Sequence, residues 1–210
     1  MDHSSKAANI FNSLAKQYAE KYMDVNAYSD SFNTFGSLLH PLSPRILELG
    51  CGPGNITKFL LNQRTDLNIL GTDLAPNMLS IAKKENPTAE FKLLDSRKID
   101  TIEQRFNGII SGFILPYLNK TEVEKLIRDA ASLLLPKGIF YLSTMEGEYS
   151  KSGFERGSNK AIDPVFMHYY EGSVLKDMLV KSGFEIQYEK RIETNTQTKA
   201  NDVMIIAQLK

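Results

Sequence analysis

The sequence predicts an α/β fold: a seven-stranded, mostly parallel sheet with helices on both faces, closed by an antiparallel C-terminal hairpin. Two observations predict it. From residue 43 onward, short apolar runs alternate with segments of helical periodicity, and the last two apolar runs follow each other without a helix between them. Alternating strands and helices form parallel sheets with right-handed crossovers. The chain of 210 residues, 42% of them hydrophobic, is long enough for one domain with a sizeable core.

Seven apolar runs are the predicted strands. The first five are residues 45–49, 67–72, 89–94, 106–112 and 138–144, and the last two are residues 184–193 and 201–209. The fourth and fifth contain GIISG and GIFYLS, which are apolar almost throughout, as is typical of strands covered on both faces. The polar loop between the last two runs predicts that they pair antiparallel.

The helices between these strands have recognisable ends. Asn55 is predicted to cap the first helix, and Pro76 to lie in the first turn of the second. Thr121 and Glu124 have the spacing of a capping box for the third helix. Gly183 is predicted to end the last one.

Two segments interrupt the alternation of strands and helices. Residues 1–42 are predicted to form a helical lid rich in aromatic side chains, and residues 146–167 form a polar insertion that is long for a plain connection. Both are expected near the carboxyl ends of the strands, where open α/β sheets bind ligands. The predicted organisation is therefore a lid, residues 1–42, on a single domain, residues 43–210.

Composition restricts the class of partner and the compartment. Lys plus Arg and Asp plus Glu are both 25, so the net charge is zero, whereas proteins that bind nucleic acids usually carry an excess of basic residues. No run approaches the roughly 18 apolar residues that cross a bilayer, and the N-terminal segment lacks the apolar core of a signal peptide. The single cysteine, Cys51, excludes an internal disulfide and indicates a cytoplasmic location.

The stretch RILELGCGPGNITKFL, residues 45–60, places three glycines after the first predicted strand. Glycines at this position let the backbone turn sharply and approach a ligand. A dinucleotide-binding turn has the spacing G-x-G-x-x-G, with a pyrophosphate at the following helix. Here Asn55 occupies the place of the third glycine. Glu48 precedes the turn, and its carboxylate would repel a pyrophosphate but attract an ammonium or sulfonium group.

On these residues, ELGCGPGN resembles the first motif of the class I S-adenosylmethionine-dependent methyltransferases, which have a Rossmann-like fold. The segments GTDLAPNML, LLDSRK, NGIISGFILPYL and LLLPKGIFYLST are similar to the later motifs of that family and stand in its order. The resemblance covers residue 43 to the C-terminus. It implies a methyltransferase that uses S-adenosyl-L-methionine and releases S-adenosyl-L-homocysteine.

The resemblance also implies roles for individual residues. Glu48 would lie near the amino group of the cofactor, and Asp73 would accept bonds from both ribose hydroxyls. Asp95 would receive the adenine amino group, with the backbone of Ser96 supporting the ring. The other predicted cofactor contacts are Tyr18, Gly50, Cys51, Gly52, Leu74, Met78, Gly112 and Phe113.

Structural alternatives exist for several of these residues. Asp73 is also placed to cap the helix that starts at Pro76, and Asp95 is placed to pair with Arg97. Leu74 and Met78 would serve equally well as core residues. Cys51 is expected to fill a small buried space rather than to act as a nucleophile.

The sequence carries fewer signals for the residues that bind the methyl acceptor than for those that bind the cofactor. Methyl transfer requires an aligned acceptor, and a base only if the acceptor must lose a proton. His168 follows the insertion and is the candidate base, whereas His3 is set aside because it lies next to the N-terminus. Tyr22, Tyr117 and Tyr169 are the predicted substrate contacts, and no metal is predicted.

The sequence FILPYL differs from the N/D-P-P-Y type motif often found in enzymes that methylate amide or base nitrogens. This difference and the zero net charge favour a small-molecule acceptor that is methylated on oxygen, nitrogen or carbon. Two alternatives stay open at this point. One is an NAD(P)-dependent oxidoreductase on a similar sheet, and the other is a non-catalytic scaffold that binds S-adenosylmethionine.

Overall fold

The computed structural model describes residues 2–40, 42–156, 163–195 and 200–210. Residues 157–162 of the predicted insertion and residues 196–199 of the last loop lie outside the described residues. The helices are α1 (His3–Ser13), α2 (Ala15–Tyr22), α3 (Ser29–Leu38), α4 (Asn55–Gln63), α5 (Pro76–Glu85), α6 (Lys120–Leu133) and α7 (Gly172–Lys181). The strands are β1 (Arg45–Leu49), β2 (Asn68–Asp73), β3 (Glu90–Leu93), β4 (Phe106–Gly112), β5 (Leu134–Met145), β6 (Gly153–Glu155), β7 (Val165–Met167), β8 (Phe184–Asn195) and β9 (Ala200–Leu209).

Seven strands form one sheet in the order β3-β2-β1-β4-β5-β9-β8. Strands β1 to β5 pair in parallel, and β9 is inserted antiparallel between β5 and β8. The predicted fold is therefore confirmed, including the closing hairpin. The insertion contributes an additional antiparallel pair, β6 and β7, which the sequence analysis did not predict.

The core has two layers because successive residues of a strand face opposite sides of the sheet. Leu47 and Ile109 point to the side covered by α6 and α7, in a cluster that includes Leu126 and Leu175. The neighbouring strand residues face α3 and α4 on the other side. That second cluster contains Phe32, Phe35, Ile46, Ile56, Leu60, Ile110 and Tyr141.

The N-terminal segment divides between the core and the edge of the sheet. Helix α3 belongs to the core, since Phe32 and Phe35 are fully buried there. Helices α1 and α2 instead lie against the start of α5: the Asn77 amide N–H donates to the side chain of Asn12 at 2.8 Å, and Ala15 packs against Met78. The part of residues 1–42 that covers the sheet edge is therefore α1 and α2.

Two of the predicted helix caps are wrong. The residue before α4 is Gly54 in a left-handed conformation, without a side-chain cap, and the side chain of Asn55 accepts only from the adjacent Ile56 N–H. The capping box of α6 is formed by Asn119 and Glu122, because the helix begins before Thr121 and asparagine caps as well as threonine. In the described part of the chain, no helix has the length and apolarity to cross a bilayer.

Candidate active site

The glycine turn follows β1 at the carboxyl edge of the sheet. Gly50, Gly52 and Gly54 have φ angles of 63°, 51° and 81°, in the left-handed region that favours glycine. A Cβ added to Gly50 would lie 2.0 Å from a methyl carbon of Ile114, so the neighbouring loop requires a glycine there. A Cβ added to Gly52 would meet no described atom within 4 Å. The backbone of Gly52 thus borders open space.

Asp73 ends β2 and holds the glycine turn in place. Its Oδ2 accepts from the Gly52 N–H at 2.9 Å, and its Oδ1 accepts from the Ala75 N–H at 2.8 Å, just before α5. Burial raises the pKa of Asp73, and these backbone bonds oppose the shift. Asp73 does not cap α5, because the N-cap residue is Ala75 and no side chain caps the helix. Each carboxylate oxygen has a second lone pair, so a ligand hydroxyl can be accepted in addition.

Glu48 lies beneath the turn with only 1% of its surface exposed. Its Oε2 accepts a hydrogen bond from the Thr57 hydroxyl, whereas its Oε1 is buried without a partner among the described residues. Burial raises the pKa of Glu48 to about 8, the Thr57 bond opposes the shift, and the charge of Asp73 adds to it. Buried acceptors are nearly always paired. This oxygen can accept a hydrogen bond for which the described residues supply no donor.

Asp95 follows β3 and is engaged by Arg97. The Arg97 backbone N–H and guanidinium together donate to both Asp95 oxygens at 2.7 to 3.0 Å. Burial acts to raise the pKa of Asp95, but the Arg97 bonds prevail and hold it below its usual value. The same guanidinium binds both oxygens of Asp2, the cap of α1, and one oxygen of Glu122. The pairing alternative is thus observed, and Arg97 joins the loop after β3 to the N-terminal helix.

The loop after β4 has one strained position. Phe113 has a φ of 56°, its N–H donates to the Ser143 carbonyl at 3.1 Å, and its ring lies 5.1 Å from that of Tyr28. The Tyr28 hydroxyl in turn donates to Asp202 at 2.7 Å. Burial raises the pKa of Asp202. Tyr28 and Asp202 were not predicted as site residues, and the only signal for them in the sequence is an acid in the apolar run of β9.

The tyrosines of α2 lie over the glycine turn. The ring centroids of Tyr18 and Tyr22 are 4.6 Å apart, and the Asn55 side chain donates to the Tyr22 carbonyl at 2.9 Å. Burial raises the pKa of Tyr18 to about 12, with smaller contributions from Tyr22 and Asp73. Tyr22, predicted as a substrate contact, lies beside Tyr18, which is predicted as a cofactor contact.

The remaining predicted cofactor residues lie along the same edge. Met78 is 2% exposed and packs under α2, while Leu74 is half-buried. Cys51 is buried, its N–H donates to the Thr72 carbonyl at 2.9 Å, and burial raises the pKa of its thiol. Gly112 faces α4, because a Cβ there would lie 2.4 Å from Ile56. Ser96 opens a short 3-10 helix, Ser96–Thr101.

The predicted acceptor residues lie on the other side of the β4 loop. The backbone N–H of His168 donates to the Pro116 carbonyl at 2.7 Å, and the Tyr117 carbonyl accepts from the Ser4 hydroxyl of α1. Burial lowers the pKa of His168. Tyr169 donates its hydroxyl to Glu155 of β6 at 3.2 Å.

His3, set aside as a candidate because it lies next to the N-terminus, is packed rather than free of the fold. Its ring stacks on Phe166 of β7 with the centroids 4.6 Å apart. The ion pairs between Asp2 and Arg97 fix the start of α1, so that His3 is held against the β6–β7 pair.

Comparison with known proteins gives a consistent result. A family described as methyltransferase domain matches residues 46–138. The trans-aconitate 2-methyltransferase of Variovorax paradoxus is 32% identical over 99 residues, and a malonyl-[acyl-carrier protein] O-methyltransferase of a Paenibacillus species is 29% identical over 139 residues. These matches cover 47% and 60% of this chain, and 38% and 47% of the two relatives. The chain thus spans less than half the length of these curated relatives.

Solved structures extend the likeness to the whole fold. The magnesium protoporphyrin IX methyltransferase of Synechocystis PCC 6803, crystallised with bound S-adenosylmethionine, matches with a TM-score of 0.73 at 14% identity. The match covers 100% of this chain and 98% of that one. At 14% sequence identity, this similarity shows a shared fold and nothing about the acceptor.

Proposed function

We propose that this chain, which belongs to the class I S-adenosylmethionine-dependent methyltransferases, transfers the methyl group of S-adenosylmethionine to an oxygen, nitrogen or carbon of a small molecule. The observation that carries the proposal is the unpartnered Oε1 of Glu48, buried beside the glycine turn. A buried carboxylate is stabilised by a cation within a few ångströms. The α-ammonium group of the cofactor has that charge and can donate the missing hydrogen bond.

The other cofactor residues fit the remaining parts of the ligand. Gly52 would let the backbone approach the methionine portion, and the free lone pairs of Asp73 would accept the ribose hydroxyls. Because Arg97 engages Asp95, we expect the adenine amino group to share that carboxylate with the guanidinium rather than to replace it. Tyr18 would cover the ligand from the side of α2, and Met78 would contact it from α5.

The bound cofactor supplies an activated methyl group whose sulfonium sulfur keeps the bonding electron pair on transfer. The chain has to align the acceptor, exclude water and take up a proton where one is released. His168 suits the last task because burial lowers its pKa and keeps its imidazole neutral. We therefore propose His168 as the base and Tyr117 and Tyr169 as residues that border the acceptor.

The acceptor class is proposed as a small molecule, and the relatives' names support this only broadly. Those names refer to trans-aconitate, malonyl-[acyl-carrier protein] and magnesium protoporphyrin IX, which are chemically unlike. The zero net charge offers no general attraction to nucleic acid. The cytoplasmic location inferred from the lone cysteine stays a prediction.

A ligand-dependent shift in thermal unfolding tests the cofactor. At 100 times its dissociation constant, S-adenosylhomocysteine should stabilise the chain by about 2.7 kcal/mol, because it binds only the folded state. S-adenosylmethionine should act similarly and NADH should have no effect. Stabilisation by NADH alone would favour the oxidoreductase. Binding of S-adenosylmethionine without methyl transfer to any acceptor pool would favour a non-catalytic scaffold.

We further propose that α1 and α2 act as a lid over the cofactor, within the segment 1–42. Replacing Asp2 by asparagine keeps a good helix cap but removes the charge that binds Arg97. Since partly exposed ion pairs contribute up to about 1 kcal/mol, we expect S-adenosylhomocysteine to dissociate about threefold faster. Stopped-flow displacement measures this rate. Asp30→Asn breaks an ion pair to Lys190 away from the lid and should leave the rate unchanged.

A further inference from the structure

Aromatic rings from α1, from the β6–β7 pair and from the residues flanking that pair form a continuous array, which we call the histidine cluster: His3, Tyr149, Phe154, Phe166 and His168. The rings of His3 and Phe166 stack at 4.6 Å, and those of Phe166 and His168 lie 5.0 Å apart. Tyr149 stacks on the other face of the array, 5.6 Å from His168. Phe154 is 57% exposed, which is unusual for a large apolar side chain and places an accessible ring at the rim.

Two imidazole nitrogens in this cluster lack partners. The Nδ1 atoms of His3 and His168 are both buried, and neither has a hydrogen bond within the described residues. His168 as a whole is 9% exposed. Buried polar atoms are paired in the great majority of cases, and an orphaned one costs about 1 to 3 kcal/mol. Two orphans in one cluster point to a polar group of a ligand.

The electrostatic surroundings restrict the charge of that ligand. Burial lowers the pKa of His168 most strongly; Glu122 opposes the shift and His3 adds to it. Lys6 of the same lid helix already faces Asp163. A neutral imidazole beside Glu122 does not attract a highly charged anion. It can accept a proton from a neutral donor.

We propose that the histidine cluster binds the methyl acceptor, and that this acceptor is a hydroxylated aromatic compound. The ring would stack among Phe166, Tyr149 and Phe154, and its hydroxyl would donate to Nδ1 of His168. His3 would bind a second polar group of the same molecule. This inference rests on the proposed methyltransferase function and assigns its substrate class.

The choice of a phenolic hydroxyl follows from proton affinity. A carboxylate acceptor has no proton to lose, so no proton would be transferred to the buried neutral imidazole. A phenol has a pKa of about 10, as tyrosine does, and a neutral imidazole can assist its ionisation as the reaction proceeds. An aliphatic alcohol is a much weaker acid. In the transfer, an oxygen lone pair forms the new bond to the methyl carbon, the carbon–sulfur bond electrons remain on sulfur, and the hydroxyl proton moves to His168 Nδ1.

The cluster is complete only when α1 is in place, because His3 and Ser4 come from that helix. Ser4 binds the Tyr117 carbonyl, next to the Pro116 carbonyl that holds His168. We therefore expect the acceptor to bind after the cofactor, when the lid has closed over both.

The test compares 7-hydroxycoumarin with 7-methoxycoumarin, which has the same ring system without the acidic proton. Binding is followed by fluorescence in the presence of saturating S-adenosylhomocysteine, so that no turnover is needed. We expect saturable binding of 7-hydroxycoumarin to the native chain and at least tenfold weaker binding of the methyl ether. His168→Phe and His3→Phe retain an aromatic ring, which is larger than imidazole, and remove the ring nitrogens. Both substitutions should weaken the binding of 7-hydroxycoumarin at least fivefold and leave the binding of the methyl ether unchanged.

Controls separate this inference from the proposed function. His40→Gln changes the remaining histidine, which is exposed and outside the cluster, and should leave the affinity unchanged. Thermal unfolding and S-adenosylhomocysteine affinity verify that each variant is folded. If S-adenosylhomocysteine binds but 7-hydroxycoumarin does not, or if both phenylalanine variants bind it normally, the inference is wrong while the proposed function stands. If S-adenosylhomocysteine fails to bind, the proposed function is wrong, and the proposed substrate class is wrong with it.

Discussion

Replacing Asp73 by asparagine is expected to weaken S-adenosylhomocysteine binding by about 100-fold. The carboxylate would accept charge-assisted hydrogen bonds from two ribose hydroxyls, each contributing about 1.5 to 3 kcal/mol. Asparagine retains one acceptor oxygen, so it keeps one of the two backbone bonds that Asp73 accepts, and it loses the charge. Isothermal calorimetry measures the dissociation constant, and an unchanged value would mean that the ribose lies elsewhere.

The choice of asparagine over alanine follows from the structure. Asp73 accepts from the N–H groups of Gly52 and Ala75, so alanine would leave two backbone donors without their partner and disturb the glycine turn. A loss of binding by Asp73→Ala would therefore not identify the ribose. The 2′-deoxy analogue of S-adenosylhomocysteine provides the matched ligand: it should bind the native chain more weakly, but Asp73→Asn nearly as well as the parent ligand.

Asp66→Asn is the control for this substitution. Asp66 accepts from the Ser43 N–H at 2.9 Å and pairs with Arg64, so it has comparable loop contacts away from the site. Its replacement should leave S-adenosylhomocysteine affinity unchanged. A parallel loss of affinity in both variants would indicate general destabilisation instead of a ribose contact.

The fold could be predicted because its signals are local. A period of two in the strands and of 3.6 in the helices depends on neighbouring residues only, and the glycine turn with Glu48 lies within one short stretch. The helix caps of α4 and α6 were predicted wrongly because several adjacent residues can cap, and tertiary packing selects among them. Local sequence patterns thus predict which helices and strands form more accurately than they predict the residue at which each one begins.

The parts of the site that escaped prediction depend on contacts between distant residues. Asp2 and Arg97 are 95 residues apart in the sequence, and Tyr28 and Asp202 are 174 apart. Nothing in the neighbourhood of His3 indicates that its ring will meet Phe166 of the insertion. The lid and the acceptor side are assembled by such contacts, so a single sequence reveals them far less clearly than the cofactor turn.

The second large effect is expected at Glu48, in both affinity and pH dependence. Its pKa in the unliganded chain is raised to about 8, so the side chain is mostly protonated below that pH. The ammonium group of S-adenosylhomocysteine favours the carboxylate, and binding therefore releases a proton. Affinity should rise by up to about tenfold per pH unit until the pH reaches that pKa. Calorimetry in buffers of different ionisation enthalpy measures the released proton.

Glu48→Gln should remove this pH dependence and weaken S-adenosylhomocysteine by about 100-fold near the pKa of Glu48, since a buried ion pair loses one partner. Glutamine still accepts from Thr57, so the surrounding packing is retained. 5′-Methylthioadenosine lacks the amino-acid part of the ligand and should bind both forms equally. Equal weakening of both ligands would indicate a structural role for Glu48 instead.

The same residue affects the stability of the unliganded chain in a defined direction. Between its ordinary pKa of 4.5 and the raised value of about 8, Glu48 binds more protons in the folded than in the unfolded state. Stability from this group is therefore complete below the lower value and is lost as pH rises through the upper one. Urea unfolding across this range should show that loss in the native chain and a flatter profile in Glu48→Gln.

The sign of these effects separates the two cofactor classes that a glycine turn can hold. A pyrophosphate would be repelled as Glu48 ionises, so a dinucleotide should bind more weakly with rising pH, and Glu48→Gln should strengthen it. A ligand with an ammonium group should instead bind more tightly with rising pH, and Glu48→Gln should weaken its binding. Burial and the charge of Asp73 raise the pKa of Glu48 to about 8, so either trend would fall within an accessible range of pH. A single pH titration of ligand affinity therefore distinguishes the two cofactor classes. Affinity that rises with pH indicates an ammonium ligand, and affinity that falls indicates a pyrophosphate.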